Sequence, residues 1–577
     1  MLKECIAIVK KYPFRKRQAV LASTLILALA VPSLAQAAPQ AGAVKPVSYI
    51  ETAAAMAAHA LVPVKQLAET LGAQVKWDGE ARTVTITRGE TVAVITAGQS
   101  QATVNGKTVD AGAVVTIVDG RAYASLAFMN EALDSHAEWN AETRQVSFAQ
   151  DDYAGRGSAF VNDLFRGDGS VAAGMMNEAL SRALPAQVLG LFSQQVSAAY
   201  GQPLERQTAE VREDGVHTNV MFVYKTKAGA LQFTLRFDRA GALNDLNLAP
   251  VSPVPAAAYQ KPAYDNGNYT EQEVVIGEGD FALPGTLTIP EGEGPFPVVV
   301  LVQGSGPHDR DSSIGGVKIF KDLAAGLASQ NIAVLRYEKV TMAHTAKVSA
   351  IPDFTLKNES ADDAVRAVEL LQGMERIDPK RIFVAGHSQG GFAAPIMLEN
   401  APDGSVAGAI LISAPSGTFT EALVEQQQVA LERLKELGMP QETLAAQEQA
   451  AAMWKGIADM VEDPAYSMDN LPPNFPLQPS YWWFEQRDYR AAAAASEQNL
   501  PMLVMQGEND WQVSMAQYEG WKEALKDRGD VTYRSYPKVN HLLAEYDGIS
   551  IGMEYNGAAN VSKAIVDDIV AWVKAQQ

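Results

Sequence analysis

Residues 382–398 read Ile382-Phe383-Val384-Ala385-Gly386-His387-Ser388-Gln389-Gly390-Gly391-Phe392-Ala393-Ala394-Pro395-Ile396-Met397-Leu398. The first four form an apolar run of the kind a strand needs when both of its faces are buried. From Phe392 onward the residues favour helix. Between the two lies Gly-x-Ser-x-Gly, and its small residues let the chain turn sharply enough to lift Ser388 into an exposed, strained position. A helix N-terminus behind that serine favours developing negative charge. Working outward, further apolar runs lie at 298–302, 332–335, 410–413 and 502–505, with helical stretches such as 318–329 and 360–374 between them. Strands alternating with helices in this way predict an α/β domain built on a mostly parallel sheet.

Set in that alternation, the strand-turn-helix stretch resembles the nucleophile elbow of the α/β-hydrolase superfamily. The resemblance covers roughly the last 300 residues and implies a Ser-His-Asp triad in the order serine, acid, histidine. Ser388 is then the nucleophile. Of seven histidines, His59, His136 and His217 belong to upstream regions, His387 sits on the elbow itself, and His308 and His344 precede the serine. The order of the fold therefore selects His541 as the base. After the run at 502–505 the chain reads Gln506-Gly507-Glu508-Asn509-Asp510-Trp511-Gln512-Val513. Asp510 matches the family's Gly-x-x-Asp-x-x-Val turn, with Glu508 as the rival carboxylate. An oxyanion hole takes one backbone N–H from the residue after the nucleophile, here Gln389. The second donor is expected to be the N–H of Ser305, in Gln303-Gly304-Ser305-Gly306-Pro307. Relatives carry His-Gly-Ser-Gly-Pro there, so Gln303 departs from the pattern in a way that touches the support of the loop more than its donor.

An insertion at about 414–500 is expected to form a cap, with a helical part at about 421–460. Its aromatic run Tyr481-Trp482-Trp483-Phe484 leaves two readings open. Trp482, Trp483 and Phe484 either line an acyl or aryl pocket or form the core of the cap.

Upstream, residues 50–150 hold an internal repeat. Leu71, Trp77-Asp78 and Arg82 recur as Leu133, Trp139-Asn140 and Arg144, each at an offset of 62 residues. Each copy reads as a short amphipathic helix followed by a strand pair. This stretch is similar to the copper amine oxidase N-terminal-like stalk domain of secreted bacterial proteins, which does not hold the copper, so the resemblance implies spacing or adhesion to a cell-wall or surface component. Residues 151–250 read as helices followed by alternating strands at 220–224 and 231–235, a small α+β domain that looks like the cystatin-like domains preceding secreted hydrolases. Pro253, Pro255 and Pro262 mark 251–270 as a linker by composition, and 271–577 is the catalytic domain.

The first residues carry an address. Lys10, Lys11, Arg15, Lys16 and Arg17 precede an apolar run from Ala19 to Val31, and Ala35-Gln36-Ala37 offers a small-x-small cleavage site. Residues 1–37 therefore read as a secretory signal peptide, which places the mature chain outside the cytoplasm, secreted or in the cell envelope. Cys5, the single cysteine, leaves with it, which excludes disulfides, thiolate metal sites and a cysteine nucleophile. A net charge of −20 repels nucleic acid and anionic membranes, and no later stretch is long and apolar enough to span a bilayer.

The expected activity is acyl transfer on a small-molecule ester: a carboxylic-ester hydrolase working without metal or organic cofactor. A serine peptidase of the same fold is the alternative, with Glu485 or Glu425 to receive a substrate amine. A surface-binding protein with a vestigial hydrolase domain is the alternative from another class.

Overall fold

Eight strands make one sheet in the order β1-β2-β4-β3-β5-β6-β7-β8. They are β1 (Tyr269–Ile276), β2 (Leu283–Pro290), β3 (Phe296–Val302), β4 (Ala333–Tyr337), β5 (Ile377–His387), β6 (Gly408–Ile412), β7 (Met502–Gly507) and β8 (Val531–Tyr536). β2 runs antiparallel to β1 and β4, and every pairing from β4 onward is parallel. All seven residues of β3 are buried, as a parallel strand covered on both faces requires. The computed structural model describes residues 61–576 apart from 72, 89–90, 134, 136, 141–144, 149–150, 168 and 202. The signal segment 1–37 with Cys5, His59 and His136, and Gly72 and Arg144 of the repeat lie outside those residues.

Helices α1 (Ile319–Ala328) and α6 (Lys563–Ala575) bring Phe320, Leu323, Leu327, Ile565, Ile569 and Val573 into one core. That core includes Val299, Leu301, Phe383, Ala385, Ile410 and Ile412 of the sheet. Each such buried side chain larger than alanine stabilises the fold by roughly 1.5–3 kcal/mol. Helix α2 (Asp362–Gln372) buries Ala364, Ala367, Val368 and Leu371.

Between β6 and β7 the helical part of the cap expected at about 421–460 is two helices, α3 (Phe419–Glu436) and α4 (Gln441–Glu462), and two short helices, Ser480–Glu485 and Ala491–Ser496, follow. Thr418 and Glu421 start α3 with reciprocal side-chain caps. The break falls where Gly438 takes φ 63° and Pro440 forbids continuation. α5 (Met515–Ala524) follows β7.

The chain divides into two compact units. The catalytic unit holds Val254–Ala343 and Ile351–Gln577. Its first residues have the irregular backbone that their composition predicts, yet they are anchored. Tyr259 Oη donates to Asp322 at 2.7 Å, Tyr264 Oη to the Val561 carbonyl at 2.9 Å, and the Ala257 N–H to the Asn556 carbonyl at 2.8 Å.

The upstream unit holds the described residues before Val254 and also His344–Ala350. In its first part, helix Val64–Thr70 precedes the strand pair 74–78 and 83–88, and helix Leu126–Leu133 precedes the pair 137–140 and 145–148. Three further strands extend only the first pair, giving sheets of five and two strands. Its second part packs helices Tyr153–Arg166 and Ala186–Tyr200 with a four-stranded antiparallel meander. His344–Ala350 sits in this unit with Asp245, which is fully buried and accepts from the N–H groups of Ala346 at 3.1 Å and Lys347 at 3.0 Å.

Candidate active site

β5 ends at His387, and Ser388 takes φ 55° and ψ −120°. A side-chain-bearing residue held there costs on the order of 1–3 kcal/mol. The glycines make it possible by close backbone approach. A Cβ at Gly386 would lie 2.3 Å from the Gly390 carbonyl, and one at Gly390 would lie 2.3 Å from the Val302 oxygen. No larger residue fits either place. The turn Gln389–Phe392 then begins, with the Gly391 and Phe392 N–H groups donating to the Ser388 carbonyl at 3.0 Å. Ser388 is half-buried.

Asp510 follows β7 and is 2% exposed. Its Oδ2 lies 2.7 Å from His541 Nδ1, while its Oδ1 accepts from the Gln512 and Val513 N–H groups at 2.8 and 3.0 Å. Burial pushes this carboxyl up, but His541 and those two amides together hold it below the usual carboxylate range. Glu508 is exposed and accepts from Ser535 Oγ at 2.8 Å. The structure thus brings Asp510 to His541 and keeps Glu508 at the surface.

His541 follows β8 in a loop fastened by Asn540, whose Oδ1 accepts from the Leu542 and Ala544 N–H groups. The elbow meets it through His387: Nε2 lies 2.8 Å from the His541 carbonyl, and the two rings are 4.7 Å apart. Burial drives His387 down to about 3. It therefore stays neutral and adds no charge beside the His541 ring. Ser388 Oγ has no hydrogen bond among the described residues, a contact that in unliganded sites commonly closes only with substrate present.

Gly304 packs on the serine, so that a Cβ there would lie 3.1 Å from Ser388 Cβ. The next residue, Ser305, is exposed, and its carbonyl is 2.9 Å from His308 Nε2. The Gln389 N–H opens its turn and has no partner within it. The side chain of Gln303 donates to the Tyr337 carbonyl, which gives the loop a tether.

The cap aromatics touch one another: the rings of Trp482 and Trp483 are 4.9 Å apart, and Trp483 lies 6.3 Å from Phe419. Phe484 belongs to the core of the cap with Ile457, Val461 and Phe475, and Trp483 packs against that cluster. Trp482 lies 5.5 Å from Phe419, which lies 5.3 Å from Phe392 of the elbow turn. Glu425 is occupied by Ser514 and Gln517, and Glu485 lies exposed at the end of its helix.

Two groups escaped the sequence reading. Arg433 of α3 donates to the carbonyls of Asn509, Asp510 and Ser550 at 2.8, 2.8 and 2.9 Å, fixing the acid loop from the cap. Lys339 donates to the Gly304 carbonyl at 2.6 Å. Their partners lie 35 to 117 residues away in sequence, so no local motif marks them.

Residues 297–546 match the family described as serine aminopeptidase, S33, and residues 45–148 match the copper amine oxidase N-terminal domain. The chain is 30% identical over 403 residues to Esterase EstD of Thermotoga maritima, across 67% of this chain and 89% of that protein. Among solved structures, Est1E from Butyrivibrio proteoclasticus is 16% identical, with 53% of this chain and 98% of that one covered and a TM-score of 0.33. The esterase domain from a Rhodothermus marinus protein is 13% identical, with 53% and 98% covered and a TM-score of 0.32.

Proposed function

We propose, from the premise that this chain belongs to the α/β-hydrolase superfamily and is a hydrolase of the esterase type, that it cleaves carboxylic esters through an acyl-enzyme on Ser388. The observation that carries this reading is the Asp510–His541 bond of 2.7 Å, set against a serine held at φ 55° on its elbow. Ser388 Oγ attacks the ester carbonyl carbon and its proton passes to His541 Nε2. The oxyanion of the tetrahedral intermediate is met by the N–H groups of Gln389 and Ser305. As the C–O bond breaks, His541 returns the proton to the departing alcohol. Water then repeats the sequence on the acyl-serine and releases the carboxylic acid. Asp510 stays ionised, holds the imidazole tautomer and stabilises the imidazolium.

The signal-like segment 1–37 supports action outside the cytoplasm, and the repeated domain supports a spacing or adhesive role at a cell surface. The test is hydrolysis of p-nitrophenyl acetate together with labelling by a fluorophosphonate, in the wild type and in Ser388→Ala. Loss of both in the variant supports the reading. A labelled variant would place the nucleophile elsewhere, and a wild type faster on aminoacyl anilides than on any short ester would make it a peptidase.

A further inference from the structure

Lys339 follows β4 and is 2% exposed. Its ammonium has three protons to give, and three acceptors lie around it. These are the Gly304 carbonyl at 2.6 Å, Glu359 Oε1 at 2.7 Å and Gln389 Oε1 at 2.8 Å. Glu359 comes from a single π-helical turn, Lys357–Ala361, a widened geometry that often marks functional positions. Its other oxygen lies 3.4 Å from Gln389 Nε2. The lysine's own N–H donates to the His308 carbonyl at 3.1 Å, tying it a second time to the loop after β3.

Two of the three acceptors matter for chemistry. The Gly304 carbonyl and the Ser305 N–H belong to one planar peptide, so fixing the oxygen fixes the direction of the N–H. A charged donor on that carbonyl also polarises the peptide and strengthens what its N–H can give. The other acceptor is the side chain of Gln389, whose backbone N–H is the second oxyanion donor. A buried ion pair is in itself a poor source of stability, because desolvation offsets much of the Coulomb attraction. Its value lies in what it holds.

We infer that Lys339 is a positioning residue of the oxyanion hole, which sets the spacing between the Ser305 and Gln389 N–H groups by holding the Gly304 carbonyl and the Gln389 side chain on one ammonium. This rests on the serine-esterase reading. It predicts an effect on the transition state and not on ground-state binding.

The experiment uses the full chain with Lys339→Met, Glu359→Gln and the double variant Lys339→Met/Glu359→Gln, which leaves no buried charge unpaired. Hydrolysis of p-nitrophenyl acetate is measured per Ser388 titrated to its end point with a fluorophosphonate, alongside circular dichroism and Tm. Both variants lacking Lys339 are expected to lose about 10- to 100-fold in kcat per titrated serine, with KM within about threefold, as for a displaced oxyanion donor. Glu359→Gln alone keeps the lysine on Gly304 and Gln389 and is expected to stay within about threefold. A double variant with wild-type kcat per titrated serine would overturn the inference. So would a loss confined to KM, or failure of both Lys339 variants to fold, which would make the lysine a core group. A wild type that takes no label would overturn the serine reading itself, and this inference with it.

Discussion

Lys339 and Lys347 stand eight residues apart on one strap of chain, both almost fully buried, and they serve different units. Lys339 grips the Gly304 carbonyl beside Ser388. Lys347 donates to Asn244 Oδ1 at 2.6 Å, and its N–H donates to Asp245, in a cluster where the rings of His217 and His344 lie 5.3 Å apart. Burial pushes Asp245 up to about 6 and pulls His217 down to about 4. On the oxyanion-hole proposal the first lysine fixes atoms that meet the transition state, whereas the second fixes only where a segment of chain lies. A buried charge is read by its acceptors, not by its burial.

The largest effects set the scale for that contrast. Ser388→Ala is expected to cut kcat at least 10³-fold, and Asp510→Asn by several orders of magnitude through the wrong histidine tautomer. Glu508→Gln is expected to change kcat less than about tenfold, and steady-state kinetics on one ester ranks all three. A reversed order of the two carboxylate variants would reassign the acid.

Next comes a chain beginning at Val254, which keeps Tyr259 on Asp322 but strips Asn244 and Asp245 from the strap. Its sheet is expected to form, by circular dichroism, while kcat/KM falls by more than about tenfold, because the loosened segment begins five residues after Lys339. Activity equal to that of the full chain would show that strap and oxyanion loop are independent.

Lys347→Met sharpens the comparison from the other side. It is expected to lower Tm by several degrees, as loss of a buried partnered charge does, yet to leave kcat per titrated serine within about threefold. A fall in kcat matching that of Lys339→Met would abolish the distinction between the two lysines.

The smallest test is of burial alone. In the folded chain His387 stays neutral down to about pH 3, while in the unfolded chain it takes up a proton below about 6.5. The unfolded state then binds more protons, so stability falls as pH drops through that window. Relative to His387→Gln, the wild type is expected to lose about 2 kcal/mol between pH 7 and pH 5, read from urea denaturation. A gap that does not change with pH would mean that His387 takes up its proton as readily in the fold as in the unfolded chain.

What the sequence made legible was local or ordered along the chain. The apolar runs gave the five buried strands within a few residues, because strands buried on both faces leave no polar alternation to blur them. Ser388, Asp510 and His541 each follow a strand of that sheet, and their order along the chain singled them out as candidates, of which the structure pairs Asp510 with His541. Even the break in the cap was written in Gly438 and Pro440, though the helical composition around them obscured it. Lys339 and Arg433 could not be read, since a lysine or arginine among charged neighbours looks the same whether it ends in water or on a carbonyl 77 residues away. The same holds for the cap aromatics. Trp482 and Trp483 are adjacent and chemically identical, both lie near Phe419, and only folding buries the first and leaves the second half-buried against the cap's core.

His344–Ala350 also bears on how such a chain could be reshuffled in evolution. Two modules strung end to end can be exchanged by a single recombination event at their junction. Here a crossover near Pro253 would separate Asn244 and Asp245 from the seven residues they hold, which are encoded far downstream in the catalytic half of the gene. A hybrid would inherit the strap from one parent and its socket from the other. The upstream unit and the catalytic unit are therefore expected to be inherited as one block, with substitutions in the strap and in its socket matched to each other.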